Sequence, residues 1–325
     1  MPKSFSRALI AYCRINYCKL LLLCGVKACL LLIVLTFNMA LAQPSISGGI
    51  GPMVIKTMPP ESDNDLRHAY KIRIIKAALD ATIEQYGPYV IQTPSYSMNS
   101  LRAFSKLMLR ESDINTVVGL PTKQREMDAI PIRIPIRRGL LNYRLMLVRN
   151  ADLQEFQNIR TAEQLKTKSV GMAVNWLTAD VMKRQGYTIV YGTERDTLYN
   201  MLAHGRFDYM LLGVNEAYKE VEHHSLGEQG ISIVPGVAVH INMPSYIFVS
   251  KHEPLIAKRI RDGLEIMQGS GELHALFEQE YGEYIQSAKL SERHIIKIHN
   301  PTLPDSIKLI EPEYWLDVQR AAASE

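Results

Sequence analysis

The sequence predicts an α/β protein made of two consecutive units, and three observations lead there. From Met53 to Val118, short apolar runs alternate with segments of helical spacing, giving strand, helix, strand, helix, strand within about 65 residues. Such alternation argues for a parallel sheet covered by helices on both faces. From Asn142 the pattern starts again and continues for about 90 residues. At 325 residues, with 47% hydrophobic side chains, the chain is long enough for two domains and a well-buried core.

The first 42 residues are read separately. They carry Lys3, Arg7, Arg14, Lys19 and Lys27 and no acid, then the apolar run Ala28 to Phe37 and the A-x-A pattern Ala40-Leu41-Ala42. This is the pattern of a secretory signal cleaved after Ala42, with an uncleaved membrane anchor as the alternative because the basic leader is long. A lipoprotein signal fits less well, since Leu23 precedes Cys24 where a small residue is wanted. Five of the 37 Lys and Arg fall in this leader, leaving 32 against 33 acids, a net charge near −1. The basicity is thus part of the targeting signal, and nothing suggests a nucleic-acid footprint. Cys13, Cys18, Cys24 and Cys29 also lie in the leader, so the mature part has no disulfide, thiolate nucleophile or cysteine metal site. No later apolar run approaches the ~20 residues that span a bilayer.

After a Gly/Ser/Pro-rich connector (Gln43 to Pro52), Met53 to Met58 reads as a buried strand stopped by Pro59-Pro60. Asp65 opens a helix whose apolar positions from Leu66 to Ala81 keep helical spacing until Gly87-Pro88. Tyr89 to Thr93 is a strand, Leu101, Phe104 and Met108 mark a helix, and Ile114 to Val118 is the third strand. In the second unit, Tyr143 to Val148 is a strand, and Thr161-Ala162-Glu163-Gln164 has the capping-box spacing that starts a helix. Ser169 to Val174 is a strand, Thr178 caps a helix ending near Gly186, and Thr188 to Tyr191 is a strand. Asp196 caps the next helix, ended by His204-Gly205, before the strand Asp208 to Leu212, a helix from Val214 and the strand Ile231 to Val234. Ser245 to Ser250 is a further strand, followed by helices Pro254 to Gln268 and Glu272 to Tyr281 and a proline-bearing tail.

Ligands of such sheets collect at the carboxyl ends of the strands, here Met58 to Glu61, Thr93 to Tyr96 and Gly119 to Arg125. At the third of these ends, Thr122 and Arg125 stand three residues apart where a new segment begins. A hydroxyl and a guanidinium fork beside free N–H groups suit a small carboxylate or phosphate. An arginine in a first turn is more usually solvated or paired with a nearby acid, here Glu126 or Asp128.

The order of several motifs resembles the type II periplasmic solute-binding proteins, in their amino-acid-binding branch (extracellular solute-binding protein family 3). The first-lobe signature corresponds to Asp113-Ile114-Asn115-Thr116, Gly119, Thr122-Lys123-Gln124-Arg125 and Pro135. The second lobe is similar in Ile159 to Lys166, Val170-Gly171 and Gly205-Arg206-Phe207-Asp208, and the return crossover in Tyr246 to Lys251. The likeness runs in correct order from Met53 to Tyr284. It implies a two-lobed fold joined by two crossover strands: residues 1–42 as signal peptide, 43–142 as the first part of lobe one, 143–235 as lobe two, and 236–325 as the return to lobe one with the C-terminal tail. It also implies hinge closure around a ligand, with Arg125 clamping its carboxylate and Thr122, Gly119 and Leu120 assisting. In lobe two, Asn175, Trp176 and Thr178 occupy the place that offers hydroxyl and N–H groups to the same carboxylate. Thr178 as a plain helix cap and Trp176 as plain packing remain equal readings.

The chain departs from that pattern where amino-acid binders carry an acid for the ligand's ammonium: the position reads Gly213, leaving Glu61, Asn215 or Glu216 to supply a carboxylate or carbonyl. Arg133, Arg137, Arg138, Arg144 and Arg149 cluster around the first crossover and are expected mostly to point outward, with Arg144 placed to reach the cleft. His223-His224 lacks a second pair at metal-ligand spacing, and no phosphate loop, nucleophile elbow or paired-acid constellation is present. The expectation is a periplasmic substrate-binding protein, monomeric and without metal or cofactor, that hands a small carboxylate-bearing solute to an inner-membrane permease. The alternatives are an adaptor signalling to a membrane sensor kinase and an exported enzyme on the same fold.

Overall fold

The computed structural model describes residues 51–61, 67–174 and 176–318. The chain divides into two units, Met1–Gly51 and Pro52–Glu325, and all strands and helices of the described residues belong to the second. The expected signal segment and its expected cleavage position after Ala42 lie outside the described residues, as does Asp65, the expected helix start.

Two sheets form the framework of this second unit. The smaller is built around β3 (Thr116–Gly119), which pairs antiparallel with β11 (Tyr246–Val249), itself antiparallel to β4 (Ile130–Ile132). A bridge from Thr57 to Thr116 joins it to the parallel pair β1 (Met53–Lys56) and β2 (Tyr89–Gln92). The spatial order is β2-β1-β3-β11-β4, in which β11 returns from far along the chain.

The larger sheet contains β5 (Tyr143–Arg149), β6 (Ser169–Ala173), β7 (Thr188–Gly192), β8 (Tyr209–Gly213), β9 (Ile231–Ile233), β10 (Val237–Ile241) and β12 (His294–Ile298). Its path β7-β6-β8-β5, with β9 on the far side of β5, repeats the order of the smaller sheet. Here the antiparallel intruder is β5, contributed by the segment entering the unit, just as β11 is contributed by the segment leaving it. The two lobes therefore exchange one strand each. The connecting strands β5 and β10 meet antiparallel at Arg144 with Val239 and Tyr143 with His240.

The segment from Gly236 onward serves both sheets. It supplies β11 to the smaller one, and β10 with its parallel neighbour β12 to the larger one. The strand β12 goes beyond the sequence reading, its short run His294-Ile295-Ile296-Lys297-Ile298 lying just ahead of the tail prolines. From its end the tail crosses back: Ile307 and Trp315 pack with the core of the smaller lobe, Ser306 donates to Glu126 at 2.8 Å, and the Leu316 N–H donates to the Arg138 carbonyl.

Helices cover both sheets. In the first lobe these are α1 (Arg67–Asp80), the single turn α2 (Ile83–Tyr86), α3 (Ser100–Leu107) and α4 (Lys123–Asp128). The helix expected to run unbroken to Gly87 is interrupted at Thr82, whose Oγ1 donates back to the Ala78 and Leu79 carbonyls and ends α1. In the second lobe, α5 (Leu153–Gln157) and α6 (Ala162–Lys166) precede α7 (Leu177–Arg184), α8 (Arg195–Ala203) and α9 (Val214–His223). The capping box expected at Thr161 forms as read. The caps expected at Thr178 and Asp196 do not: α7 starts after Trp176 and α8 after Glu194, so both residues sit inside first turns. The helices α10 (Pro254–Ser270) and α11 (Glu272–Ala288) close the arrangement, separated by Gly271 at φ +83°. One buried cluster runs through both lobes, taking in Ile55 and Ile75 from the first and Leu145 and Leu212 from the second.

Candidate functional site

The carboxyl end of β3 delivers the chain through Gly119, Leu120 and Pro121 into α4. Thr122 has extended backbone and its Oγ1 accepts the Arg125 N–H at 3.1 Å, which is why Thr and Arg stand three apart: the first caps the turn that carries the second. The Arg125 guanidinium lies over the Phe104 ring, its Cζ 3.8 Å from the ring centroid. It donates to the Leu120 carbonyl at 2.8 Å and to Ser100 Oγ at 3.4 Å, both uncharged acceptors. Burial pushes its pKa down to about 10. Glu126, the acid that could have neutralised it, bonds to Arg133 instead. A cation held by stacking with only neutral acceptors is a ready partner for a carboxylate.

Gly119 makes the stack possible. A Cβ there would come within 2.6 Å of the Phe104 ring and 3.6 Å of Arg125 Nη1. Gly119→Ala should therefore push Phe104 away from Arg125 and lower stability by ~1–3 kcal/mol, read as a lower urea midpoint.

The facing lobe presents the carboxyl ends of β6 and β8. Trp176 precedes α7, packs against both main core clusters, and has the Arg195 guanidinium 5.6 Å from its ring centroid. Leu120, from the first lobe, packs against the same cluster as Trp176 and Leu177 and so ties the Arg125 loop to this lobe. Thr178 is buried, its hydroxyl 3.6 Å from Met243 Sδ.

β8 ends at Gly213, the position that the resemblance sets against the ammonium-binding acid. A Cβ on Gly213 would sit 3.4 Å from Glu216 Oε2 and 3.1 Å from Asn215 Oδ1, so these two side chains fill the space that a residue at 213 would use. Glu216 accepts the Gly213 N–H at 3.2 Å and lies 3.9 Å from Arg67 Nη1. Burial would raise its pKa, but Arg195, Arg67 and Arg144 outweigh it and hold the carboxyl at about 2. Glu61 bonds Arg67 at 3.0 Å, so a chain of ion pairs, Glu61–Arg67–Glu216, links the lobes. Arg195 also pairs with Glu220, which accepts from Tyr199 at 2.8 Å.

No family model matches the chain, and no curated protein matches it. Among solved structures, it is similar to one from Streptococcus mutans concerning glutathione import via GshT and the cystine ABC importer TcyBC, with TM-score 0.52 and 13% identity over 80% of this chain and 100% of that one. It is also similar to an amino-acid ABC transporter substrate-binding protein of Streptococcus pneumoniae bound to L-arginine, at TM-score 0.50 and 13% identity over 71% and 94%. A histidine kinase sensor domain with similarity to periplasmic binding proteins matches at TM-score 0.50 and 13% identity over 71% and 96%. The fold is the two-lobed fold of periplasmic solute-binding proteins.

Within that fold, Gly119, Leu120, Thr122 and Arg125 come together as one loop and turn, and Trp176 packs against the same cluster as Leu120. Asn175 lies outside the described residues. Glu61 stands with Arg67 rather than alone. The arginines expected to point outward do not all do so, since Arg137 is only 4% exposed; Arg144, the one set apart as able to reach inward, is 9% exposed. The strand β4 ends at Ile132, and beyond it Arg137 turns in beside Tyr70 and Tyr281. His223 and His224 stack edge to face at 4.8 Å, and no group of three or more His, Asp or Glu among the described residues is placed to hold a metal ion. Among those residues no helix is long and apolar enough to cross a membrane.

Proposed function

We propose that this protein is an exported solute-binding protein that closes its lobes around a small carboxylate-bearing solute, using Arg125 as the carboxylate clamp, for delivery to a membrane transporter. The observation that carries the reading is the Arg125 guanidinium itself, largely buried, stacked on Phe104 and bonded only to neutral oxygens. Closure about β5 and β10 brings the Trp176–Thr178 turn over the bound solute and removes it from water, where charge-assisted hydrogen bonds gain strength. The basic leader with its A-x-A pattern supports an extracytoplasmic location. Binding rather than catalysis is the proposed role.

The test is thermal unfolding of the protein purified from the cell envelope, with and without amino acids, dicarboxylates, keto acids and short peptides. A solute at 100 times its Kd should stabilise by ~2.7 kcal/mol, enough for a clear rise in Tm. Arg125→Ala should weaken that solute by about 100-fold or more, the loss of a charged bidentate contact. A full Tm rise in the variant, or no rise with any carboxylate, would overturn the clamp.

The likeness to a histidine kinase sensor domain favours a second reading, in which the closed state is presented to a membrane kinase. Retention of the full chain in the membrane fraction after export would favour this reading over transport.

A further inference from the structure

We propose that the cleft contains a second anion-holding group, Arg144, so that the solute carries two negative groups, one held by Arg125 and the other by Arg144. This rests on the binding-protein reading above. Arg144 stands opposite Gly213 in the β5–β8 pairing, at the carboxyl edge of the larger sheet. Residues directly paired across antiparallel strands point to the same face, so Arg144 shares its face with the space filled by Glu216 and Asn215.

Its surroundings leave it short of acceptors. Arg144 is 9% exposed, its Nε has no hydrogen-bond partner among the described residues, and its Nη2 lies 4.0 Å from the sulfur of Met243. A guanidinium has five N–H donors and remains charged in proteins, so burying it without acceptors is costly. Glu216 helps through space, with one oxygen accepting the Gly213 N–H and the other 3.9 Å from Arg67, but it makes no hydrogen bond to Arg144 among the described residues. Arg195 lies close enough to oppose the charge of Arg144. A carboxylate arriving with the solute would supply the missing acceptors. Next to it, Asn215 Oδ1 is also buried without a donor, and suits a hydroxyl or ammonium on the same solute.

The solute class is therefore a small dicarboxylate, with or without an amine. The experiment is calorimetric titration of the purified protein with two matched pairs: glutarate against glutaramate, and L-glutamate against L-glutamine. Each pair differs only in whether the second group is charged. The acid should bind at least 10-fold more tightly than its amide in one of the pairs. Arg144→Met should bring that acid and amide within about 2-fold, Arg144→Lys should restore part of the preference, and Arg125→Ala should weaken both members alike. If Arg144→Met fails to fold, the lysine variant and the salt dependence remain: added NaCl should weaken the acid more steeply than the amide. Amides binding as well as acids, a preference that survives Arg144→Met, or binding by neither acid would overturn the inference. Arg125-dependent binding of L-glutamine with no gain for L-glutamate would remove the second subsite while leaving the carboxylate clamp in place.

Discussion

Replacing Glu216 by glutamine should lower the unfolding free energy by about 3 kcal/mol at pH 7, and the difference should fade as the solution is acidified. The carboxyl sits at about 2 in the folded protein against 4.5 ordinarily, because Arg195, Arg67 and Arg144 and the Gly213 N–H outweigh the burial that opposes them. A gap of that size corresponds to roughly 3 kcal/mol. The folded value is the lower one, so the stabilisation is complete above the ordinary carboxylate range and is lost as pH falls from about 4.5 towards 2. Urea unfolding between pH 7 and pH 2 checks this, with the wild-type midpoint falling and the variant's midpoint falling less until the two meet. Parallel curves would mean that Glu216 is not held charged by its arginines. The same variant bears on the cleft, because the charge of Glu216 acts on Arg144 across the end of β8.

Gly263→Ala should cost about 3 kcal/mol or more without touching the cleft. Gly263 lies within α10, where that helix crosses α1, and a Cβ there would meet the Ala78 carbonyl oxygen at 2.0 Å and its carbon at 2.6 Å. Both obstacles are backbone, so relief requires the helices to separate, and with them the buried Ile75, Leu79, Ile260 and Leu264. Overpacking of a well-filled core typically costs ~1–3 kcal/mol, and rigid backbone puts this position at the top of that range or beyond it. Gly269 on the same helix is the control. Nothing lies within 4 Å of its added Cβ, and alanine there should be neutral or stabilising by up to ~1 kcal/mol. Chemical denaturation of both variants separates the contact from helix propensity. Equal midpoints would show that the helix crossing is looser than its geometry.

Local devices were legible because they are local. The capping box at Thr161 and the Thr122 cap three residues before Arg125 use side chains that reach only one turn, so spacing in the chain is spacing in space. The Thr178 and Asp196 caps each fall two residues late for the same local reason run the other way: Trp176 and Glu194 take extended backbone ahead of them, and propensity alone does not choose between neighbouring candidates. Gly119 was read as part of the signature, but its reason, a Phe104 ring 2.6 Å from where a Cβ would stand, comes from a residue fifteen positions away.

Alternating strand and helix patterns, the restart near Asn142 and the ordered motifs were enough by themselves to determine two α/β units and to mark Arg125, since hydrophobic period and turn chemistry act over a few residues. What only the tertiary structure decided is which strands change sheets, where the tail runs, and which charges meet. The exchange of β5 and β11, the docking of β12 beside β10 and the gathering of Arg67, Arg144, Arg195 and Glu216 at one strand edge join residues dozens to more than a hundred positions apart. Burial and Coulomb energy depend on distance in space, and no count along the chain contains that distance.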